Sequence, residues 1–101
     1  MFVNIIESYR NIVAVADKEL IGKQFYEENK QLDVKESFYK GENTKPLPYE
    51  EVKEIIIMMS KEDSTFNIVG KNSIACAIEA GIITENEVFE IGGIPYSLIL
   101  L

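Results

Sequence analysis

Apolar residues first cluster in two short β-branched runs, Phe2 to Glu7 and Asn11 to Ala16, separated by Ser8-Tyr9-Arg10. That pattern predicts a hairpin. In the second run Ile12, Ala14 and Ala16 share one face and Val13 and Val15 the other, so this strand is expected inside a sheet or covered on both sides. "ADKELIGKQFYEEN" begins with Asp17 as a helix cap and meets Gly22 five residues on, which predicts a single helical turn. "QLDVKESFY" alternates, with Leu32, Val34, Glu36 and Phe38 against Asp33, Lys35, Ser37 and Tyr39, and predicts another strand.

The period then changes. "KGENTKPLP" is punctuated by Gly41, Asn43, Pro46 and Pro48 and predicts a loop. Pro48 suits the first position of a helix, and Glu50 and Glu51 suit its first turn. Val52, Ile55, Ile56 and Met59 then recur at helical spacing, with Glu50, Glu51, Lys53 and Glu54 opposite, predicting a helix from Tyr49 to Lys61. Phe66 to Val69 is expected to be extended. Ser73 to Ala80 follows as a second helix, capped by Asn72 and stopped by Gly81. Ile74, Ala77 and Ile78 form its stripe, with Ala75 and Ala80 small enough for another element to approach. In "EVFEIGGIPYSLILL", Gly92-Gly93 marks a tight hairpin, and Pro95 places its strand at an edge or starts it just afterwards. Strands, then helices, then strands predict one α+β domain over residues 1–101: a two-layer sandwich with a mostly antiparallel sheet and two main helices.

Composition narrows what such a domain does. With 47% hydrophobic and 27% charged residues the chain should fold, and its apolar runs are far short of the roughly 20 residues that span a bilayer. No basic leader precedes the first apolar run, so a soluble, cytoplasmic protein is expected. There is no histidine, which removes the commonest general base and zinc ligand. Cys76 is the single cysteine and falls within the apolar pattern of the second helix, so a small core residue is expected there. No catalytic, metal or cofactor motif is present, and none is assigned.

Net charge is −7 and unevenly spread. Residues 1–17 sum to −1, 18–45 to zero with six lysines against six acids, and 46–101 to −6 with three lysines against nine acids. An acidic half repels phosphate backbones, so any nucleic-acid contact falls to the middle of the chain. There "LDVKESFYKGE" mixes Lys35 and Lys40 with Phe38 and Tyr39, as single-strand RNA platforms do. The plainer alternative has Phe38 in the core and the lysines keeping an edge strand soluble. "GKNS" at Gly70, Lys71, Asn72 and Ser73 resembles the end of a phosphate loop, but Thr65 stands where that motif needs its first glycine. A helix start can still hold an anion through free N–H groups; alternatively Asn72 or Ser73 satisfies those donors itself. The adjacent carboxylates, such as Glu27-Glu28, Glu50-Glu51 and Glu62-Asp63, point apart and are expected on the surface.

Four stretches in order, "ADKELIGK", "LDVKESFYKGE", "NIVGKNSIACAIEAGII" and "IGGIPYS", resemble the DUF424 family, whose members carry similar blocks in the same sequence. The resemblance implies an archaeal cytosolic α+β protein without established enzymatic activity, loosely linked with RNA and translation. It points to Asp17, Glu19, Gly22, Lys23, Lys35, Glu36, Phe38, Tyr39, Asn67, Gly70 and Ser73. Tyr96 replaces a histidine of the family pattern, and Lys71 an acid. The expectation is a non-catalytic binding protein of the RNA or translation machinery, touching RNA or a ribosome-associated protein through Lys18, Lys23, Lys35, Tyr39 and Lys40. The rivals are an acidic adaptor binding a basic protein through Glu50 and Glu54 or a strand edge, and a small phosphate-ligand binder using Gly70 to Ser73.

Overall fold

In the computed structural model, which describes residues 1–42 and 45–101, the chain builds a mixed sheet. Strands β1 (Phe2–Ile6), β2 (Asn11–Ala16), β5 (Ser64–Val69), β6 (Phe89–Ile91) and β7 (Ile94–Leu100) lie in the order β1-β2-β5-β7-β6. All neighbours are antiparallel except β2 and β5, which run parallel with Ala16 opposite Val69. The segment between those two strands supplies a separate hairpin of β3 (Gln24–Glu27) and β4 (Lys30–Asp33), the short helix α1 (Glu36–Tyr39) and the helix α2 (Tyr49–Met59). Helix α3 (Lys71–Glu79) joins β5 to the closing hairpin.

Alternation along the strands gives the sheet two different faces. Val3, Val13, Val15, Phe66 and Ile68 point to one side and are covered by Val52, Ile56 and Met59 of α2 and by Ile74, Cys76 and Ala77 of α3. Burying each large side chain there contributes roughly 1.5–3 kcal/mol. On the other side Ala14, Ala16 and Val69 meet Leu20, Leu32, Val34 and Tyr39, which belong to the β3–β4 hairpin, α1 and the loops flanking them. The small alanines allow this second layer to approach closely. The expected α+β class with a mostly antiparallel sheet and two main helices is the one observed, and β2 is interior, as its two apolar faces require.

The structure corrects several local expectations. "QLDVKESFY" is not one strand: β4 ends at Asp33, and Glu36 to Tyr39 turn into helix α1. The alternation broke there because Phe38 and Tyr39 both turn toward the second layer, their rings edge-on at 5.0 Å. Pro48 is the N-cap of α2 (φ −71°, ψ 158°), not its first residue, and the helix stops at Met59 instead of Lys61. In α3 the cap is Gly70, not Asn72, and Ala75 is exposed while Cys76 and Ala77 are buried. Pro95 lies in a strand paired on both sides, not at an edge. It pairs with Glu90 one step from the Ile91–Ile94 turn pair, so its nitrogen points away from β6, beyond the end of β5, where no ladder donor is needed. The Gly92-Gly93 turn has φ of 59° and 80°, both positive, as a two-residue hairpin of this kind demands. The part of the loop reading that rests on Asn43 lies outside the described residues.

Between α2 and α3, Lys53 bridges Glu79 at 2.7 Å and Glu50 at 3.1 Å, and the Tyr49 hydroxyl donates to Glu79 at 3.2 Å. The hydrogen bond from Lys53 pulls the Glu79 carboxyl down, and the same bond is the main reason that Lys53 is pushed up. Cys76 sits beneath this clasp with its thiol 3.7 Å from the Tyr49 carbonyl, and burial pushes it up to about 11. At pH 8 the thiolate is therefore scarce and shielded. Native protein should react with a thiol reagent at pH 8 only on the timescale of unfolding, and at once in denaturant; fast labelling of the folded protein would contradict this packing.

Candidate functional site

Asp17 follows directly on β2, and Gly70 directly on β5, so the parallel pair brings both to the same end of the sheet. Asp17 N–H continues the ladder by donating to the Val69 carbonyl at 3.1 Å. Its side chain then reaches across to the start of α3. The carboxylate accepts from Asn72 N–H at 3.0 Å, from Ser73 N–H at 2.8 Å and from the Ser73 hydroxyl at 2.7 Å. Asp17 is only 2% exposed and Ser73 wholly buried. Asp17 was expected to cap its own short turn; its side chain makes no such bond and caps α3 from 55 residues away.

Gly70 makes room for this. Its φ of 109° with ψ of 154° is a conformation that side chains disfavour, and a Cβ there would stand 2.3 Å from Asp17 Cγ. Gly70 N–H donates to the Pro95 carbonyl at 2.9 Å, tying the helix start to β7. Around the junction Asp17, Glu19, Leu20, Gly70, Lys71, Asn72, Ile94 and Pro95 line a cleft of about 320 Å³. Two of the N–H groups that an anion would seek at this helix start are already bonded to a buried carboxylate. This answers the question of how the donors are satisfied: neither Asn72 nor Ser73 caps the helix, and Asp17 does.

Lys18 and Lys71 flank this junction in the chain, and Lys23 and Lys35 lie about Val34 of the second layer. Gly22 N–H donates to Val34 O at 2.7 Å and Val34 N–H to Lys23 O at 2.9 Å, which sets Lys23 beside the Val34-Lys35 step. Lys18 adjoins Asp17, and Lys71 adjoins the Asn72 that Asp17 holds. Lys18, Lys23, Lys35 and Lys71 are all exposed, and among the described residues none of them forms an ion pair. Two predicted contact residues are placed differently. Tyr39 is 8% exposed and packs inside the second layer, where burial and then the Asp33 carboxylate push its hydroxyl up, so it is no part of an outer surface. Lys40 is half-buried, with its ammonium 5.5 Å from the centre of the Phe2 ring. Phe38 packs partly against the second core cluster, and Asn4 Nδ2 donates to its carbonyl at 2.7 Å.

The stretches that carry the sequence resemblance thus meet in one region: Asp17 with Ser73, Gly70 with Pro95, Lys23 with Val34. Residues 6–101 match the family described as a protein of unknown function, DUF424. The chain belongs to the DUF424 family. No curated protein matches it. Among solved structures it is similar to an uncharacterised conserved protein from Methanopyrus kandleri, with a TM-score of 0.82 and 23% identity over 98% of this chain and 89% of the other. At that identity the likeness establishes the shared fold. This DUF424 chain also has no helix, among the described residues, long and apolar enough to cross a membrane.

Sequence reasoning missed the role of Asp17 and the β3–β4 hairpin. The first had a visible trace: a lone acid closing a run of four buried apolar residues needs a partner, and a hydroxyl-bearing helix start elsewhere is a natural one. The second was obscured because its turn, Glu28-Asn29, uses Glu28 at φ 57°, which no sequence rule favours.

Proposed function

We propose that this DUF424 protein is a cytoplasmic, non-catalytic binding protein of archaeal RNA or translation machinery, holding single-stranded RNA by its backbone. The observation that carries the reading is a set of four exposed lysines, Lys18 and Lys71 beside the β2–β5 junction and Lys23 and Lys35 about Val34 of the second layer, none of them in an ion pair among the described residues. Unpaired ammonium groups are the donors that neutralise phosphates. The exposed acids of α2, Glu50, Glu51 and Glu54, stand with that helix over the opposite face of the sheet. The helix start contributes through Lys71 as a point charge and not through its N–H groups, two of which Asp17 holds.

Fluorescence anisotropy of a labelled single-stranded RNA octamer, repeated across salt concentrations, tests this. Four phosphate contacts give a slope of log K against log salt of about −2.8, from roughly −0.7 per contact on single strands. Lys35→Glu should flatten that slope by about 0.7 or more and weaken binding to all sequences alike. A flat titration with RNA, together with capture of a basic protein that Glu54→Lys abolishes, would instead support the acidic adaptor.

A further inference from the structure

The second layer covers only part of its face of the sheet. Residues directed to this side by strand alternation are Phe2, Asn4 and Ile6 on β1, Ile12, Ala14 and Ala16 on β2, Thr65, Asn67 and Val69 on β5, Ile94, Tyr96, Leu98 and Leu100 on β7, and Phe89 and Ile91 on β6. Ala14, Ala16, Val69 and Ile91 are buried with the hairpin and α1, and Phe2 is buried with Lys40 over its ring. Beyond them cover thins: Phe89 is 59%, Leu98 57% and Leu100 69% exposed, Ile6 and Ile12 are partly so, and Tyr96, level with Val69, packs partly against the second layer with the rest of its ring open. A contiguous apolar patch left in water marks a docking surface.

Its chemistry narrows the occupant. In a chain with 17 acids, none of these face positions is acidic. The cation at its lower margin is Arg10, whose guanidinium is held by the Thr65 hydroxyl at 3.4 Å, the Ser64 carbonyl at 3.2 Å and the Leu101 oxygen. Lys40 stands at its β1 margin over Phe2. Phe89 and Tyr96, on adjacent strands, present a tilted ring pair with centroids 5.9 Å apart. In the middle, between Ala14 and Leu98, the half-buried Asn67 amide has no hydrogen-bond partner among the described residues. An exposed ring beside a partly open one, an unbonded amide, cations at the margins and no acidic side chain at a face position fit nucleobases, which need stacking planes, edge hydrogen bonds and a nearby neutralised backbone. Size agrees. Strands about 4.8 Å apart and a rise of about 3.4 Å per residue give the open part an area on the order of 300 Å². A standard protein interface needs about 800 Å² per partner, whereas a four-stranded sheet platform takes two or three bases.

We infer that the open half of this sheet face is a base-stacking platform for about two or three nucleotides of single-stranded RNA, with Phe89 and Tyr96 as the stacking rings and Asn67 reading a base edge. The inference rests on the RNA reading above, adding to its backbone contacts the surface that takes the bases.

The test measures anisotropy of an RNA octamer, intact or abasic at its central three positions, with wild type, Phe89→Ala and Asn67→Ala, each checked by circular dichroism. Intact RNA should bind wild type at least tenfold more tightly than the abasic strand. Phe89→Ala should weaken intact RNA roughly 5- to 150-fold, the size of one lost base–aromatic stack, with the salt slope unchanged, and should leave the abasic strand nearly unaffected. Asn67→Ala should change the preference among bases more than the average affinity. Equal binding of intact and abasic strands, with Phe89→Ala silent and a steep salt slope, would overturn the platform and leave the lysine reading standing. No RNA binding by wild type at low salt would overturn both. Self-association in sedimentation that Phe89→Ala abolishes would assign the face to a second copy and overturn the platform.

Discussion

Replacing Asp17 with alanine should lower the stability of this small protein by about 3–4 kcal/mol, more than any other single side-chain truncation outside the large apolar core. Three donors converge on one buried carboxylate, and truncation removes the acceptor of two helix N–H groups and of a buried serine hydroxyl. Hydrogen bonds to charged groups contribute about 1.5–3 kcal/mol each, and a lost N-cap costs about 0.5–2, so an incomplete sum still reaches this range. For a chain of this size that is a fall of about 12–30 °C in the thermal midpoint. Asp17→Asn should be milder, at about 1–2 kcal/mol, because one oxygen is kept for Ser73 while the other position turns a donor toward Asn72 N–H. Thermal unfolding followed by circular dichroism reads both. A fall of less than 3 °C for Asp17→Ala would mean that the junction contributes little to the fold.

Gly70→Ala should be at least as damaging, about 4 kcal/mol, for two reasons that act together. The backbone at φ 109°, ψ 154° is costly for any residue with a Cβ, and that Cβ would meet Asp17 Cγ at 2.3 Å and Oδ2 at 2.6 Å. Asp17 has no room to yield, since its backbone is pinned to Val69 and its oxygens to α3. The clash makes the two sites interdependent. The double variant Asp17→Ala, Gly70→Ala should therefore cost less than the two single changes summed, by about 1 kcal/mol or more, because truncating Asp17 removes the atoms that the added methyl group would strike. Urea unfolding of the four proteins checks this, and simple additivity would show that the strain lies in the backbone alone.

The same junction explains what was and was not legible in the sequence. Hydrophobic period located β1, β2 and α2 to within a few residues, because each buries a face wide enough to leave a pattern: Val13 and Val15 on one side of β2, Ala14 and Ala16 on the other. The Gly92-Gly93 turn was legible because both residues need positive φ. Where the period failed, a tertiary contact had overridden it. Phe38 and Tyr39 are neighbours in sequence yet both join the second layer, which alternation forbids and a turn of helix allows. Pro95 escaped the edge-strand rule only because its nitrogen falls beyond the last residue of β5. Of the candidate site, the lysines were visible as residues, but not that backbone bonds would seat Lys23 beside Lys35 or that Tyr39 would turn inward. The cap was invisible because its two halves, Asp17 and Ser73, lie 56 residues apart and meet only when β2 and β5 align in parallel.

The measurement that tests the account most directly is an amide NMR titration of the folded protein with a single-stranded RNA octamer and, separately, with inorganic phosphate. The account predicts RNA-dependent shifts along residues 18–23, 34–40 and at Lys71, extending onto β7 about Tyr96, and no phosphate-dependent shift at Asn72 or Ser73, whose N–H groups stay on Asp17. Shifts at Gly70 to Ser73 with phosphate alone, or silence along the lysine loops with RNA, would contradict it.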